Sequence, residues 1–199
     1  MVPANVKRGR PRSNEARTET LQAAFDLLVE RGYAGMAVDA VAARAGVSKA
    51  TIYKWWPDRA ALAVEAFFER TRSELVFPET GSAIGDFRGQ IHALAATLRT
   101  PAGGAFAAMI AGARGDESVK RAIAERWVRP RSVWGQARLR AAIADGECVD
   151  DLDVDAALST LYSIVYGPLL LGFGVPPTPM LDRCLNIVFS GIFKRCRQR

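Results

Sequence analysis

With 199 residues, of which 49% are hydrophobic and 24% charged, the chain has the composition of a folded globular protein and excludes whole-chain disorder. It is long enough for one good-sized core or for a small module fused to a larger one. The formal net charge of +6 points to an anionic partner without separating DNA, RNA and membrane surface. Three cysteines (Cys148, Cys184, Cys196) with no CxxC spacing, and a single histidine, predict a reducing compartment, no disulfide framework, no metal site and no cofactor.

Residues 1–13 read as a flexible basic arm. Lys7, Arg8, Arg10 and Arg12 precede the first acid, Glu15, without periodicity. Polar residues follow instead of an apolar run, so the arm is not read as a secretory signal. Ser13 or Asn14 is placed to cap a first helix whose Leu21, Ala24, Phe25, Leu28 and Val29 form one apolar stripe, and Gly32 is placed to close it. A shorter stripe, Val38, Val41, Ala42 and Ala45, stops at Gly46. Ser48 then caps a third helix from Lys49 to about Trp56, and Pro57 with Asp58 ends it and caps a fourth running toward residue 77.

With Gly46 in the turn, Ala42 must be small where the next helix crosses, and Val41, Ala45, Val47 and Ile52 form the wedge between the two helices. Ile52 and Trp56 face inward, which throws Lys49, Ala50, Tyr53 and Lys54 outward. Two cations, a hydroxyl and a small residue suit a helix lying in a groove about 12 Å wide, the DNA major groove. An isolated short helix with this face would read equally well as solvated surface. The amphipathic helix before it, the basic arm and the capped helix after it favour DNA.

Residues 14 to about 74 resemble the DNA-binding domain of the TetR/AcrR family of bacterial regulators. The stretch Val38-Asp39-Ala40-Val41-Ala42-Ala43-Arg44-Ala45-Gly46-Val47-Ser48-Lys49-Ala50-Thr51-Ile52-Tyr53 carries the likeness, continuing through Trp56, Arg59 and Leu62. The resemblance implies a helix-turn-helix over about residues 37–56. It also implies DNA contacts by Lys49, Ala50, Thr51, Tyr53, Lys54 and Trp55, with Lys49 and Ala50 as base readers and Tyr53 and Arg59 on phosphates. Gly9-Arg10-Pro11-Arg12 is similar to the arm of many members, which adds Arg8, Arg10 and Arg12 to the candidate DNA contacts. The sequence departs from the family at Ala37, where relatives carry a capping Thr or Ser.

Beyond Pro78 the chain reads as helices over about 83–99, 102–113, 116–145, 153–172 and 178–196, none with period two, which makes the fold class all-α. Ala156 to Leu181 carries no charge and is long enough for a span of roughly 20 residues. Glycines and prolines from Gly167 to Pro177 and the acidic flank Asp151, Asp153 and Asp155 make it a buried or intersubunit segment, with no membrane partner and a cytoplasmic location. Arg129-Pro130-Arg131, Asp145-Gly146-Glu147 and Gly167-Pro168-Leu169 loosely resemble one group of the family, and imply that residues 75–199 bind an effector and dimerise.

The segment over 153–172 has two apolar faces and so needs two partners. A homodimer interface is expected from Leu158, Leu161, Val165, Leu169, Leu181, Leu185, Val188 and Ile192. An effector pocket is expected among His92, Phe106, Met109, Trp127, Trp134, Tyr162 and Tyr166. The glycine-rich stretch near Gly103 either leaves room for a ligand or packs tightly. One histidine and no phosphate-cradling loop exclude the common enzyme designs. The sequence therefore predicts a non-enzymatic, sequence-specific regulator, a repressor released from a palindromic double-stranded operator by a small apolar effector. An architectural DNA-binding protein and an integral membrane protein are the competing readings.

Overall fold

The computed structural model describes residues 10–112 and 115–192, which form ten α-helices and no β-strand. Helix α1 (Arg10–Gly35) begins before the expected cap, and Gly32, at φ 66°, breaks its helical path. Leu21, Ala24 and Leu28 of the expected stripe are buried, joined by Leu27, whereas Val29 lies at the exposed edge. Helices α2 (Val38–Ala45) and α3 (Lys49–Trp55) follow, then α4 (Arg59–Thr71). Asp58 caps α4, its Oδ1 accepting from the Ala61 amide at 2.7 Å. The buried Thr71 hydroxyl donates to the Phe67 carbonyl at 2.8 Å, and the chain tightens into a 3₁₀ turn over Arg72–Leu75, short of the expected end near 77.

The larger half holds α5 (Ala83–Leu98), α6 (Pro101–Gly112), α7 (Glu117–Ile123), α8 (Arg129–Ala144), α9 (Val154–Leu170) and α10 (Thr178–Ile192). The single helix expected over 116–145 is split by a π turn at Ala124–Val128. Pro130 stands just after it, with no amide to donate and a ring that crowds the carbonyl four residues back. A wider turn accommodates both defects. Gly146, at φ 73°, closes the region after α8. Glu147 Oε2 accepts from the Ala83 amide at 2.9 Å at the start of α5, and Glu147 shares Arg138 with the buried Asp86. The Asp145-Gly146-Glu147 stretch thus ties the end of α8 to the start of α5.

Helix α1 packs on α2, α4 and α6, so the two halves share a continuous apolar core. Its aromatic centre is Phe67 of α4, stacked on Phe106 of α6 with ring centroids 4.1 Å apart and set against Trp127 at 5.2 Å. Leu158, Leu161, Val165, Leu181, Leu185 and Ile192 are buried in this chain's own core, where α9 meets α5, α8 and α10. Within the single chain each of them is at most 6% exposed. Leu169 and Val188 are half-buried, while Leu170, Leu171, Phe173, Met180 and Ile187 are exposed on α9, α10 and the loop between them. Among the described residues no helix is long and apolar enough to cross a membrane.

Candidate nucleic-acid interface and effector groove

The turn between α2 and α3 is built by Gly46 in the left-handed conformation (φ 65°, ψ 27°), which costs other residues steric energy. The Val47 amide donates to the Ala42 carbonyl at 3.1 Å, closing the turn. Ser48 Oγ accepts from the Thr51 amide at 3.1 Å and caps α3. Ile52 and Trp56 are buried under α3, and this fixes which residues point away. Lys49, Ala50 and Lys54 are exposed, and Tyr53 is 52% exposed. Thr51 and Trp55 are half-buried, and Thr51 Oγ1 lies 2.9 Å from Ser48 Oγ.

The expected face is therefore present, with two restraints that spacing did not reveal. Lys49 Nζ pairs with Asp39 Oδ1 at 2.9 Å, and this hydrogen bond raises the lysine's pKa. The Arg59 guanidinium lies 4.2 Å from the centroid of the Tyr33 ring, held against α1 rather than free. Ala37 makes no side-chain cap, in line with the departure noted from the sequence. Arg10 and Arg12 fall on the first turn of α1, and Arg8 lies outside the described residues.

On the far side of α4 a groove of about 420 Å³ opens between the π turn and α9. Trp127, Tyr162 and Tyr166 of the expected pocket line it, together with Val128, Arg131, Ser132, Asp155, Leu158, Ser159 and Ser163. Trp127 Nε1 donates to the Tyr166 hydroxyl at 2.8 Å, and the Tyr162 hydroxyl donates to Gln90 Oε1 at 2.9 Å. Burial raises the pKa of both tyrosines, so both hydroxyls keep their protons.

The other expected pocket residues lie elsewhere. Phe106 and Met109 are core behind Trp127. Trp134 is 53% exposed on α8, and His92 sits on the seam of α5 and α10 with Nε2 2.9 Å from Asp182 Oδ1. Gly103 packs against the backbone of Leu98 and opens no cavity.

A helix-turn-helix joined to a helical second half is a widespread design, and the comparisons with known proteins decide between its versions. Residues 21–66 match the model of bacterial regulatory proteins of the tetR family. Residues 77–188 match that of the tetracyclin repressor-like C-terminal domain. The chain belongs to the TetR family of transcriptional regulators. It is 34% identical over 187 residues, 94% of each chain, to the uncharacterized HTH-type transcriptional regulator YdeS of Bacillus subtilis. The uncharacterized HTH-type regulator Mb1581 of Mycobacterium bovis is 48% identical over 69 residues, 35% of this chain and 34% of that one. Among solved structures, the TetR family transcription regulator SCO0332 superposes with a TM-score of 0.79 at 31% identity, covering 90% of this chain and 100% of that one.

In this TetR-family chain α4 follows the helix-turn-helix and packs against Trp127 of the groove. Trp127 packs on Phe67 and, edge-on at 6.3 Å, on Phe68. Its neighbour Arg126 pairs with Glu65, which also holds Arg17 of α1. Arg121 of α7 reaches Asp58, the cap of α4, at 3.0 Å. Among the lining residues that the sequence did not assign to a pocket, Arg131 is the cation. Its sign was the four-residue spacing from Trp127, because the guanidinium lies 3.7 Å from the centroid of that ring.

Proposed function

We propose that this regulator is a homodimeric repressor that holds a palindromic operator with α3 of each copy in the major groove and is released when a small, largely apolar molecule enters the groove beside Trp127. Lys49 and Ala50 read bases, Tyr53, Lys54 and Arg59 hold phosphates, and the basic residues before Ser13 add charge-driven affinity. Thr51 and Trp55 support that face from its edge. The protein works in the cytosol, where its operator is.

The observation that carries this reading is α4. Capped by Asp58, it is separated from the end of α3 only by Trp56, Pro57 and that cap. Near its other end Phe67 and Phe68 touch Trp127 of the groove. A ligand that pushes Trp127 therefore has a rigid element through which to turn α3. Coupling requires differential affinity: to weaken operator binding a hundredfold, the effector must prefer the released arrangement by roughly 3 kcal/mol.

The test is to select an operator from random duplexes, find a binder by thermal shift, and titrate it against the protein with and without operator. Linkage requires the operator to weaken ligand binding by the factor by which ligand weakens operator binding. Equal dissociation constants in the two titrations would eliminate release by that ligand. Comparable affinity for all duplexes would replace the repressor with an architectural protein.

A further inference from the structure

The groove holds one charge without a partner. Arg131 Nε and Nη1 are sealed from solvent and have no hydrogen-bond acceptor among the described residues. The guanidinium is stacked on Trp127 and lies 5.4 Å from the centroid of Phe68. Aromatic faces attract a cation but do not accept its N–H groups as a carboxylate does. Burial lowers the Arg131 pKa, and the neighbouring tyrosines offset this only in part. The group nevertheless remains charged at neutral pH, since arginine titrates far above it.

The Tyr166 hydroxyl beside it accepts from Trp127, and its own proton has no acceptor among the described residues. The carboxylate that lines the groove, Asp155, is exposed and taken by Gln136 Nε2 at 2.7 Å, and it makes no ion pair with Arg131. A cavity with apolar walls, one unpaired cation and one spare hydroxyl donor is complementary to a molecule with an apolar body and a single negative head. A buried charge left unpaired is costly, and an anion bound at Nη2, the guanidinium nitrogen that is not sealed, would offset that cost through its charge.

We propose that the effector is an amphipathic monocarboxylic acid whose carboxylate is held by Arg131 and the Tyr166 hydroxyl, with its apolar body against Trp127, Leu158 and Tyr162. This rests on the reading of the groove as the effector site and narrows the effector to an organic acid. Arg131 selects the ligand, and through Phe68 the same side chain reports occupancy to α4.

The test uses the full-length protein and two matched pairs of probes, 1-naphthaleneacetate with 1-naphthaleneacetamide and octanoate with octanamide, titrated calorimetrically at pH 7.5. In at least one pair the acid is expected to bind at least tenfold more tightly than its amide. Arg131→Met removes the preference while leaving amide binding within about threefold, and Arg131→Lys restores part of it. The melting temperature of Arg131→Met does not fall. An arginine that served only as packing would weaken acid and amide alike and lower Tm when replaced.

Ser163→Trp fills the groove and abolishes binding of both members of the pair. Equal affinities in wild type, no acid binding at 5 mM, a preference that survives Arg131→Met, or unimpaired binding by Ser163→Trp would each overturn the proposal. Selective acid binding through Arg131 that leaves operator affinity unchanged would instead sustain the anion site and overturn only its role in release.

Discussion

Lys49 is already engaged, 2.9 Å from Asp39, and both partners are exposed, so the pair is a restraint that DNA could replace. If Lys49 reads a base, Lys49→Ala costs about 1–3 kcal/mol on the operator and much less on a scrambled duplex. Equal losses on both duplexes, measured by fluorescence anisotropy, would make it a phosphate contact. Asp86 raises a different question, because it is buried on α5 yet ionised. Burial alone would lift its pKa, but the Thr80 amide and hydroxyl and the Arg138 guanidinium together outweigh burial and bring it below the ordinary carboxylate value. A carboxylate with a depressed folded-state pKa adds stability that is fully present above its unfolded pKa of about 3.9 and is lost as pH falls through the folded value. Urea midpoints between pH 7 and pH 3 are therefore expected to drop less steeply below pH 4 in Asp86→Asn, which is also less stable than wild type at pH 7. An unchanged acid limb would place the titrating group elsewhere.

At the scale of elements, helix existence was legible and helix orientation was not. The apolar period marks a stripe, but it does not say whether that stripe meets the chain's own core or a second copy. Leu158, Leu161 and Val165 meet the core because α8 closes on α9 at Gly135, where a Cβ would come within 2.8 Å of Leu158 Cδ2. The helix-turn-helix was read correctly because each of its signals is local: Gly46, the Ser48 cap, and buried Ile52 and Trp56. The groove was only half legible. Its aromatics announce themselves in sequence, whereas Arg131 reads as an ordinary surface charge until the fold stacks it on Trp127. The pair Gly103 and Gly104, undecided from sequence, now separates. A Cβ on Gly103 would sit 2.5 Å from Leu98 Cα and the Thr97 carbonyl, while one on Gly104 meets nothing within 4 Å. Overpacking against backbone is expected to cost Gly103→Ala about 1–3 kcal/mol. Gly104→Ala should gain up to about 1 kcal/mol from helix propensity. Opposite shifts in Tm, each of about 2–4 °C per kcal/mol for a chain of this size, would be read by thermal denaturation. Shifts of the same sign would refute the close contact at the α5–α6 corner.

For the molecule as a whole, the proposed homodimer raises the question of where a second copy would attach, since one short helix reads too few bases and paired half-sites lie about 34 Å apart or a multiple of it. With the inward faces of α9 and α10 committed to the core, the apolar side chains left exposed on these two helices and the loop between them are Leu170, Leu171, Phe173, Met180 and Ile187, of which Phe173 is 82% and Ile187 72% exposed. Large apolar side chains left in the open can mark an interface, and two helices from each copy can bury them in a two-fold four-helix arrangement. Ile187→Glu places a charge in that face without entering the core, so the variant is expected to keep its circular dichroism spectrum and become monomeric at micromolar concentration. Its operator affinity should fall toward that of a single half-site. Leu185→Glu, two residues away but fully buried, is expected to unfold the chain instead, because an unpaired charge would be forced into the core. Light scattering separates the outcomes. A folded Ile187→Glu dimer would move the pairing surface to another face, and a monomer that still bound the full palindrome as tightly as wild type would show that pairing is not what positions the two recognition helices.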